Sequence, residues 1–272
     1  MNIVVFIKQV PMVSELPWNP KTGQMRRDLA EGMMDPASKH ALEAALCLKQ
    51  EHAGRVTVIT MGPPAAEEIL REALALGADK GVLVSDPRLS GADTPATSYT
   101  LSLAVRAVCP EYDLLLLGCH STDSETGQVG PHLAEELGLP GPAYVEDLKV
   151  TGRTLRVERV CDNFLETLEV DLPALITITT QKYKPRQTPL SGVEAAFAQG
   201  EVITLNATDL KADLKRVGWS GSAGRIVNVY APRTVQKGVL LTGPPKKCVQ
   251  ELLSRYADRL TGLIGKDMGE AK

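Results

Sequence analysis

The stretch LLLLGCHSTDSETGQVGPHLAEEL (114–137) joins a run of four leucines to an amphipathic helical pattern. Adjacent leucines of this kind are typical of a strand that is buried on both faces of a parallel sheet. A strand–helix connection in such a sheet needs only a few residues, whereas small and polar residues fill this one from Gly118 to Gly127. The length and composition of the connection therefore predict a loop with a binding role.

The same order, an apolar strand pattern followed by a helical pattern, recurs through the first half of the chain. The predicted strands are 2–8, 55–62, 80–86 and 113–118, and the predicted helices are 35–52, 63–77, 94–108 and the helix that ends at Leu137. Asp35 and Thr94 are predicted N-caps, because each precedes a proline at the first helical position. The repeated strand–helix units predict the α/β class, with a doubly wound, mainly parallel sheet.

The second half of the chain changes to hairpin patterns and then to an irregular stretch. Strands are predicted at 143–150, 154–161, 164–171, 174–179, 201–205 and 225–231, with a last helix at 245–262 and a loop or small hairpin earlier, at 18–28. We predict one α/β domain over 1–224, including a hairpin at 153–171 and a loop at 181–200. Residues 225–272 are expected to form a C-terminal arm, which is too small to hold its own core and packs against another chain or back on the domain.

The composition excludes several classes of function. A net charge of −3 and 4% aromatic residues give no case for a nucleic-acid partner or an anionic membrane. Five scattered cysteines and four lone histidines indicate reduced thiols and no metal site. The apolar N-terminal run is too short for a signal sequence, and no segment approaches the ~20 apolar residues of a membrane span. We expect a soluble, cytoplasmic protein.

Four segments follow the carboxyl ends of predicted strands, where ligands bind in a doubly wound sheet: 7–10, 60–64, 90–98 and 118–130. Three are rich in Gly, Ser, Thr and Asp and run into a helix N-terminus, whose free N–H groups favour an anion. The candidate phosphate cradle consists of Thr94, Thr97, Ser98 and Thr126 with Gly62, Gly91, Gly118 and Gly127. The alternative interpretation is that Thr94 and Thr126 are only N-caps and that the glycines only form turns.

Catalytic motifs are missing from the sequence. It contains neither G-x-G-x-x-G after the first strand nor a P-loop or G-x-S-x-G motif. Cys119 and His120 form a conceivable thiol site, although adjacent residues tend to point in different directions. Asp123 and Glu125 form a conceivable carboxylate pair, although solvated loop acids are commoner. A nucleotide-holding protein without catalytic side chains is expected where a bound cofactor performs the chemistry.

Several ordered blocks resemble the β (small) subunit of electron transfer flavoproteins over nearly the whole chain. They are IKQVP (7–11), MDPASKHALEAAL (34–46), TMGPPAAEEILREALALGAD (60–79), TGQVGPHLAEELGLP (126–140) and VERVCDNFLETLEVDLPALIT (157–177). The resemblance implies an adenine nucleotide α-hydrolase-like, Rossmann-like sheet, and a heterodimer with an α subunit that carries FAD. The small subunit then holds AMP in the ordinary branch of the family, or a second FAD in the electron-bifurcating branch.

The block SGADTPATSYTL (90–101) resembles the bifurcating branch. That branch implies electrons taken from NADH by the β-subunit FAD and passed to ferredoxin or flavodoxin, and to the α-subunit FAD and a partner dehydrogenase. The alternative is a non-bifurcating subunit that holds structural AMP and moves electrons between an acyl-CoA-type dehydrogenase and an acceptor. A third hypothesis is a nucleotide-binding enzyme or sensor that acts alone.

The resemblance also implies cofactor contacts, no catalytic side chain and no metal ligand. The implied contacts are Phe6 (through its backbone), Asp35, Met61, Gly62, Asp93, Thr94, Thr97, Ser98, Gly118, Cys119, His120, Asp123, Ser124, Thr126, Gly127, Gln128 and Val129. Leu190 matches the loop tip that docks partner dehydrogenases. The chain departs from the family where Asp35 replaces Asn and Cys119-His120 replaces a basic residue and Gln. Ser124-Glu125 replaces Gly-Asp, and the Lys-rich stretch after Leu190 is missing.

Overall fold

The computed structural model describes residues 1–12, 31–224 and 238–263. The loop or hairpin predicted at 18–28 and the strand predicted at 225–231 lie outside the described residues. The chain divides into two units, Met1–Val229 and Tyr230–Lys272. The first unit contains the sheet, and the second contains one long helix.

The strands and helices are given in chain order. The strands are β1 (Asn2–Phe6), β2 (Gln9–Pro11), β3 (Gly32–Met34), β4 (Arg55–Met61), β5 (Lys80–Val84), β6 (Leu114–Gly118), β7 (Val145–Thr151), β8 (Thr154–Cys161), β9 (Phe164–Asp171), β10 (Ala174–Ile178) and β11 (Val202–Leu205). The helices are α1 (Pro36–His52), α2 (Glu67–Leu76), α3 (Thr94–Val108), α4 (Val129–Leu137), α5 (Leu190–Ala198), α6 (Gly218–Gly221) and α7 (Pro245–Leu263).

The described strands form a nine-stranded sheet in the order β11-β5-β4-β1-β6-β10-β7-β8-β9, beside a small pair of β2 with β3. The strands from β11 to β7 run parallel, whereas β8 and β9 are antiparallel to their neighbours. The chain builds outward from β1 to β4 on one side and to β6 on the other. This reversal places a crevice at the carboxyl end of β1.

Helices cover both faces of the parallel part of the sheet, which confirms the doubly wound α/β prediction. The four leucines at 114–117 alternate between the two cores that the helices form. Leu42 and Leu70 of α1 and α2 lie in one core, and Leu101 and Leu133 of α3 and α4 lie in the other. Each fully buried leucine contributes about 1.5–3 kcal/mol, which explains why β6 is apolar at every position up to its glycine.

The N-cap predicted for α3 is wrong, and so is the alternative interpretation of Thr126 as a cap. Asp93, not Thr94, caps α3, because its carboxylate accepts the Ala96 N–H at 3.1 Å. Aspartate is as good a cap as threonine, and here it stands one residue earlier. Thr126 is not a cap either, since α4 begins only at Val129, beyond a left-handed residue.

The predicted loop at 181–200 contains a helix, α5, that packs against α2. The periodicity of this stretch is weak, and tertiary contacts with α2 support the helix instead. The helix predicted over 63–77 is also divided, because Pro64–Ala66 form a 3₁₀ turn before α2 begins at Glu67. Both differences are local and leave the α/β order unchanged.

The predicted hairpin is confirmed as β8 and β9. Cys161 pairs with Phe164, so the turn consists of two residues. These are Asp162 and Asn163, with φ values of 47° and 69°. Positive φ at both positions is the type I′ geometry that matches the twist of the strands, and Asx residues tolerate it well.

The second unit contains α7, in agreement with the predicted last helix. Its apolar side chains recur at helical spacing and are exposed: Val249, Leu252, Leu253 and Tyr256. Such spacing gives one apolar face. Among the described residues, no helix is both long enough and apolar enough to cross a membrane.

Candidate nucleotide-binding site

The crevice at the end of β1 is bordered by the loop at 118–128, which leaves β6 and enters α4. Gly118 allows this loop to start close to α1. A Cβ added at Gly118 would lie 2.7 Å from the Ala37 Cβ and 2.9 Å from the Ser38 nitrogen. Glycine is therefore required here by close packing of the strand end against the N-terminus of α1.

Asp35 fixes the loop to α1. It is only 1% exposed, and one carboxylate oxygen accepts the N–H groups of Ala37 and Ser38 at 3.0 and 3.3 Å, as the predicted N-cap should. The other oxygen accepts the backbone N–H of Thr122 at 2.8 Å and its hydroxyl at 3.1 Å. Four donors thus converge on the two oxygens of one carboxylate.

Lys8 is a site residue that the sequence reasoning missed. Its Nζ donates to Asp123 at 2.6 Å and to Ser121 at 3.0 Å, across the crevice from β1 to the loop. The Lys8 side chain is 44% exposed, whereas that of Asp123 is 7% exposed. Lys8 is part of the block IKQVP (7–11), but a single lysine after a predicted strand cannot be told from a solvated lysine by sequence alone.

Asp123 and Glu125 do not form a carboxylate pair. Asp123 is bound to Lys8 and also accepts the Ser121 hydroxyl at 2.8 Å. Glu125 is exposed and has a positive φ of 50°. Within the described parts of the chain, no group of His, Cys, Asp and Glu side chains could hold a metal ion.

The N-terminus of α4 lacks the side-chain cap that α1 and α3 have. Gln128 occupies the N-cap position without a side-chain hydrogen bond to the helix. The backbone N–H groups of Val129 and Gly130 lie in this first turn and have no intrahelical acceptor. Gly127, with φ of 63°, turns the chain into the helix, and a Cβ there would lie 2.5 Å from the Tyr144 Oη. This helix end has the geometry and dipole of an anion site.

The predicted segments 90–98 and 118–130 are brought together by side chains of α3. The Thr94 hydroxyl donates to the Gln128 Oε1 at 3.0 Å. The Ser98 hydroxyl donates to the Val129 carbonyl at 3.0 Å and is buried. Thr97 lies on the same helix and is half-buried. The amino ends of α3 and α4 are therefore joined at the crevice.

Asp93 has a structural role in this arrangement. Besides capping α3, its carboxylate accepts the Gly224 N–H at 2.9 Å, and its own N–H donates to the Ser222 Oγ at 2.8 Å. Burial raises the pKa of this carboxyl, but the N–H groups of Gly224 and Ala96 outweigh that effect and hold the pKa below its ordinary value. Asp93 is thus an anion at neutral pH.

Cys119 and His120 differ sharply in their surroundings. Cys119 is buried, and burial raises the pKa of its thiol, so it is no activated nucleophile. The His120 Nδ1 is shielded from solvent and lacks a hydrogen-bond partner among the described residues, as do the Oγ1 atoms of Thr60 and Thr179. These positions lie at or just beyond the carboxyl ends of β6, β4 and β10. Shielded polar atoms are costly unless water or a ligand satisfies them, so this edge fits a polar ligand.

The remaining predicted contacts lie at the same sheet edge. Phe6 ends β1 and is 4% exposed, so its ring is part of the core and only its backbone can face a ligand. Met61 ends β4 and is half-buried. Gly62 follows it and donates its N–H to the Val84 carbonyl at 3.0 Å. Ser124 lies in the loop, 3.0 Å from the Ser121 hydroxyl.

Leu190 lies away from the crevice, at the start of α5, and is 86% exposed. Arg71 of α2 anchors this helix by donating to the carbonyls of Ala196 and Gly200 at 2.8 and 2.9 Å. Arg186, just before α5, donates its guanidinium N–H groups to the buried Glu43 carboxylate of α1 at 2.8 Å. The exposed leucine therefore stands on a well-anchored helix.

The fold and the crevice define an α/β protein of the doubly wound class, in which ligands bind at the switch point of the sheet. A model of the electron transfer flavoprotein domain matches residues 22–210. The chain belongs to the electron transfer flavoprotein β-subunit family. Membership assigns it to electron transfer and implies a flavin or nucleotide cofactor.

Three relatives illustrate the range of the family. The electron transfer flavoprotein subunit beta of Thermoanaerobacterium thermosaccharolyticum is 39% identical, over 95% of this chain and 99% of the relative. The caffeyl-CoA reductase-Etf complex subunit CarD of Acetobacterium woodii is 38% identical, over 89% of this chain and 92% of the relative. Protein FixA of Azorhizobium caulinodans is 36% identical, over 94% of this chain and 95% of the relative.

Proposed function

We propose that the chain is the small subunit of a heterodimeric, electron-bifurcating electron transfer flavoprotein. In this proposal it takes electrons from NADH through a β-subunit FAD. The electrons go to the α-subunit FAD and a partner dehydrogenase, and to ferredoxin or flavodoxin. The observation that supports a bound FAD in this subunit is the amino end of α4 at the switch point, which lacks a side-chain cap. It is joined to α3 through Thr94 and Ser98.

The residues of the chain have binding and positioning roles in this proposal. The N–H groups of Val129 and Gly130 supply positive charge for phosphate oxygens, and the Lys8 ammonium, which is paired with Asp123, borders the same crevice. His120 and the hydroxyls of Thr94 and Thr97 supply further hydrogen-bond partners along the same edge. The bound flavin supplies the hydride and single-electron chemistry. Cys119, whose thiol pKa is raised by burial, has no catalytic role in this proposal.

A second candidate function is a non-bifurcating subunit that holds structural AMP. It would move electrons between an acyl-CoA-type dehydrogenase and an acceptor. The observation that favours it is that Asp35 and Asp93 already occupy the amino ends of α1 and α3. One open helix end is enough for a monophosphate, whereas a pyrophosphate needs a second group of donors. The candidates for this second group are Lys8, whose Nζ also donates to Asp123 and Ser121, and the Thr97 hydroxyl of α3.

The proposed assembly uses two further surfaces. Leu190 on α5 docks the partner dehydrogenase, and the C-terminal arm, 225–272, packs on the α subunit. The exposed apolar face of α7 supports packing of the arm on the α subunit, because exposed apolar faces of this kind mark protein contacts. A cytoplasmic location accompanies this proposal.

Nucleotide extraction from the purified αβ complex separates the two functions. Two FAD per complex, with bleaching of flavin absorbance by NADH, supports the bifurcating function. One FAD plus one AMP, with no bleaching by NADH, overturns it in favour of the second function. A stable monomer that binds nucleotide but no α subunit would instead support a nucleotide-binding protein that acts alone.

A further inference from the structure

The stretch GWSGSAG (218–224) packs against the loop that leads into α3. Trp219 donates its backbone N–H to the Ser90 carbonyl at 2.9 Å. Its side chain lies against Gly91, because a Cβ added at that glycine would be 3.1 Å from the Trp219 Cε3 atom and 3.4 Å from the Trp219 Cβ. Backbone and side-chain contacts therefore join two segments that are far apart in sequence.

Ser222 completes this contact at Asp93, the residue that caps α3. Ser222 is 7% exposed, and its Oγ accepts the Asp93 N–H at 2.8 Å. The same hydroxyl donates to the Gly218 carbonyl at 2.8 Å. In return, the Asp93 carboxylate accepts the Gly224 N–H at 2.9 Å. Asp93 is thus held by this stretch through both its N–H and its carboxylate.

Arg216, two residues before this stretch, contacts both α3 and α4. Its guanidinium lies 3.8 Å from the centre of the Tyr99 ring of α3. The same guanidinium donates to the Glu136 carboxylate of α4 at 2.6 and 3.0 Å. Val217, the next residue, is 1% exposed and lies in the core that α3 and α4 share. Residues 216–224, here called the brace, therefore contact both helices whose amino ends meet at the crevice.

The brace reaches α3 at the end that borders the crevice. The Asp93 carbonyl accepts the Thr97 N–H at 2.9 Å in the first turn of α3. The position of Asp93 therefore sets that of the Thr97 hydroxyl, a candidate phosphate donor. Without the Ser222 hydroxyl, the Asp93 N–H would lose its acceptor, and this turn would be held less firmly. The amino end of α4 would keep its free N–H groups, because they belong to the backbone of another segment.

We propose that Ser222 is a positioning residue that determines whether the crevice accepts a pyrophosphate in addition to a single phosphate. This inference rests on the FAD site of the proposed function and adds a residue that acts through Asp93. One phosphate needs only the amino end of α4, whereas the second also needs the Thr97 hydroxyl in a fixed position. The brace orders that position before the nucleotide binds, which lowers the entropic cost of binding. A crevice with a loosened brace keeps its affinity for AMP and loses affinity for ADP.

The first test titrates the purified αβ complex with ADP and with AMP after the small-subunit nucleotide has been removed. ADP carries the pyrophosphate of FAD without its flavin. Ser222→Ala should weaken ADP binding at least about fivefold and AMP binding less than about twofold, because the buried hydrogen bond that it removes serves only the second phosphate. A variant that is merely destabilised would lose affinity for both nucleotides alike. Ser220→Ala is the matched control, since Ser220 is exposed in the same stretch, and it should bind both nucleotides like the wild type.

The second test uses the wild-type complex and needs no folded variant. Amide hydrogen exchange is measured by mass spectrometry in peptides that cover 88–98 and 218–224, with ADP, with AMP and without nucleotide. ADP should slow exchange severalfold in both peptides, because the Trp219 and Gly224 N–H groups donate to the loop before α3. AMP should slow exchange in neither.

The outcomes distinguish this positioning role from the FAD site itself. Wild-type affinity for ADP in Ser222→Ala, or an equal loss of affinity for ADP and AMP, overturns the positioning role and leaves the FAD site intact. So does slower exchange with ADP at 88–98 but not at 218–224, or equal slowing by AMP and ADP. A wild-type complex that binds AMP but neither ADP nor FAD overturns the FAD site, and the positioning role with it.

Discussion

Asp35 joins two elements through the two oxygens of one carboxylate. One oxygen caps α1, and the other holds Thr122 of the crevice loop. Hydrogen bonds that involve a charged acceptor are stronger than neutral ones. An asparagine in this place keeps one acceptor oxygen and presents an NH₂ group to donors, so it cannot serve all four. The choice of aspartate therefore follows from the number of donors around it.

We expect Asp35→Asn to lower the free energy of unfolding by about 1–3 kcal/mol, because buried donors lose their acceptor. Nucleotide affinity should fall as well, since the loop at 118–128 loses its contact with α1. Urea unfolding and nucleotide titration of the αβ complex measure the two effects. Asp162→Asn, in the exposed hairpin turn, is the matched control and should change neither. An unchanged free energy of unfolding in Asp35→Asn would show that the four hydrogen bonds accepted by Asp35 contribute little to stability.

Gly118 gives a second prediction at a single residue. The added methyl group of Gly118→Ala would meet Ala37 at 2.7 Å. Overpacking of this kind costs about 1–3 kcal/mol and would push the crevice loop away from α1. Thermal unfolding and nucleotide content of the purified complex are the measurements. Gly238→Ala is the control, because nothing lies within 4 Å of its added Cβ, and equal effects of the two changes would contradict the prediction.

Among the elements, α3 depends on Asp93 both for its cap and for its bond to Gly224. The pKa of the folded carboxyl lies below the ordinary value. Asp93 therefore contributes stability that is fully present above about pH 4 and is lost as the pH falls toward the folded pKa. Acid should loosen the amino end of α3 and its bond to the segment at 222–224.

The matching experiment compares free energies of unfolding of the wild type and Asp93→Asn from neutral to acid pH. The difference between them should stay constant at neutral pH and shrink below about pH 4, where the wild-type carboxylate becomes protonated. Thr94→Ala keeps the Asp93 carboxylate and should follow the wild-type pH dependence. If the free energy of unfolding of Asp93→Asn depended on pH as that of the wild type does, the loss of stability in acid would come from another group.

Some helix boundaries could be predicted from the sequence and others could not. Asp35 before a proline was sufficient to place the start of α1, because cap and proline coincide. Asp93 and Thr94 are adjacent and both are good caps, so the pattern alone could not choose between them. The sequence predicts a loop at the position of α5, because this helix is stabilised by Arg71 and α2 and not by its own periodicity. Lys8 was missed for a similar reason, since its partner is more than a hundred residues away.

At the scale of the whole molecule, the cofactor crevice and Leu190 lie in separate places on one sheet domain. On the proposed function, in which Leu190 docks the partner dehydrogenase, Leu190→Ala should slow electron exchange with that partner and leave nucleotide content unchanged. Stopped-flow flavin reduction and nucleotide extraction give the two measurements. Leu214→Ala, another exposed leucine, is the control. Loss of bound nucleotide in Leu190→Ala would show that the two regions are not independent.

The hydrogen bonds from Thr94 to Gln128 and from Ser98 to Val129 also constrain how nucleotide preference can be engineered. Residues 90–98 and 118–130 are far apart in sequence, yet they act as one unit at the crevice. A graft of 90–98 alone that lacks Thr94 and Ser98 would break both bonds, and a graft of 118–130 alone that lacks Gln128 would break the bond to Thr94. Successful conversion of one type into the other requires the two segments to be transplanted together, with Gln128 included.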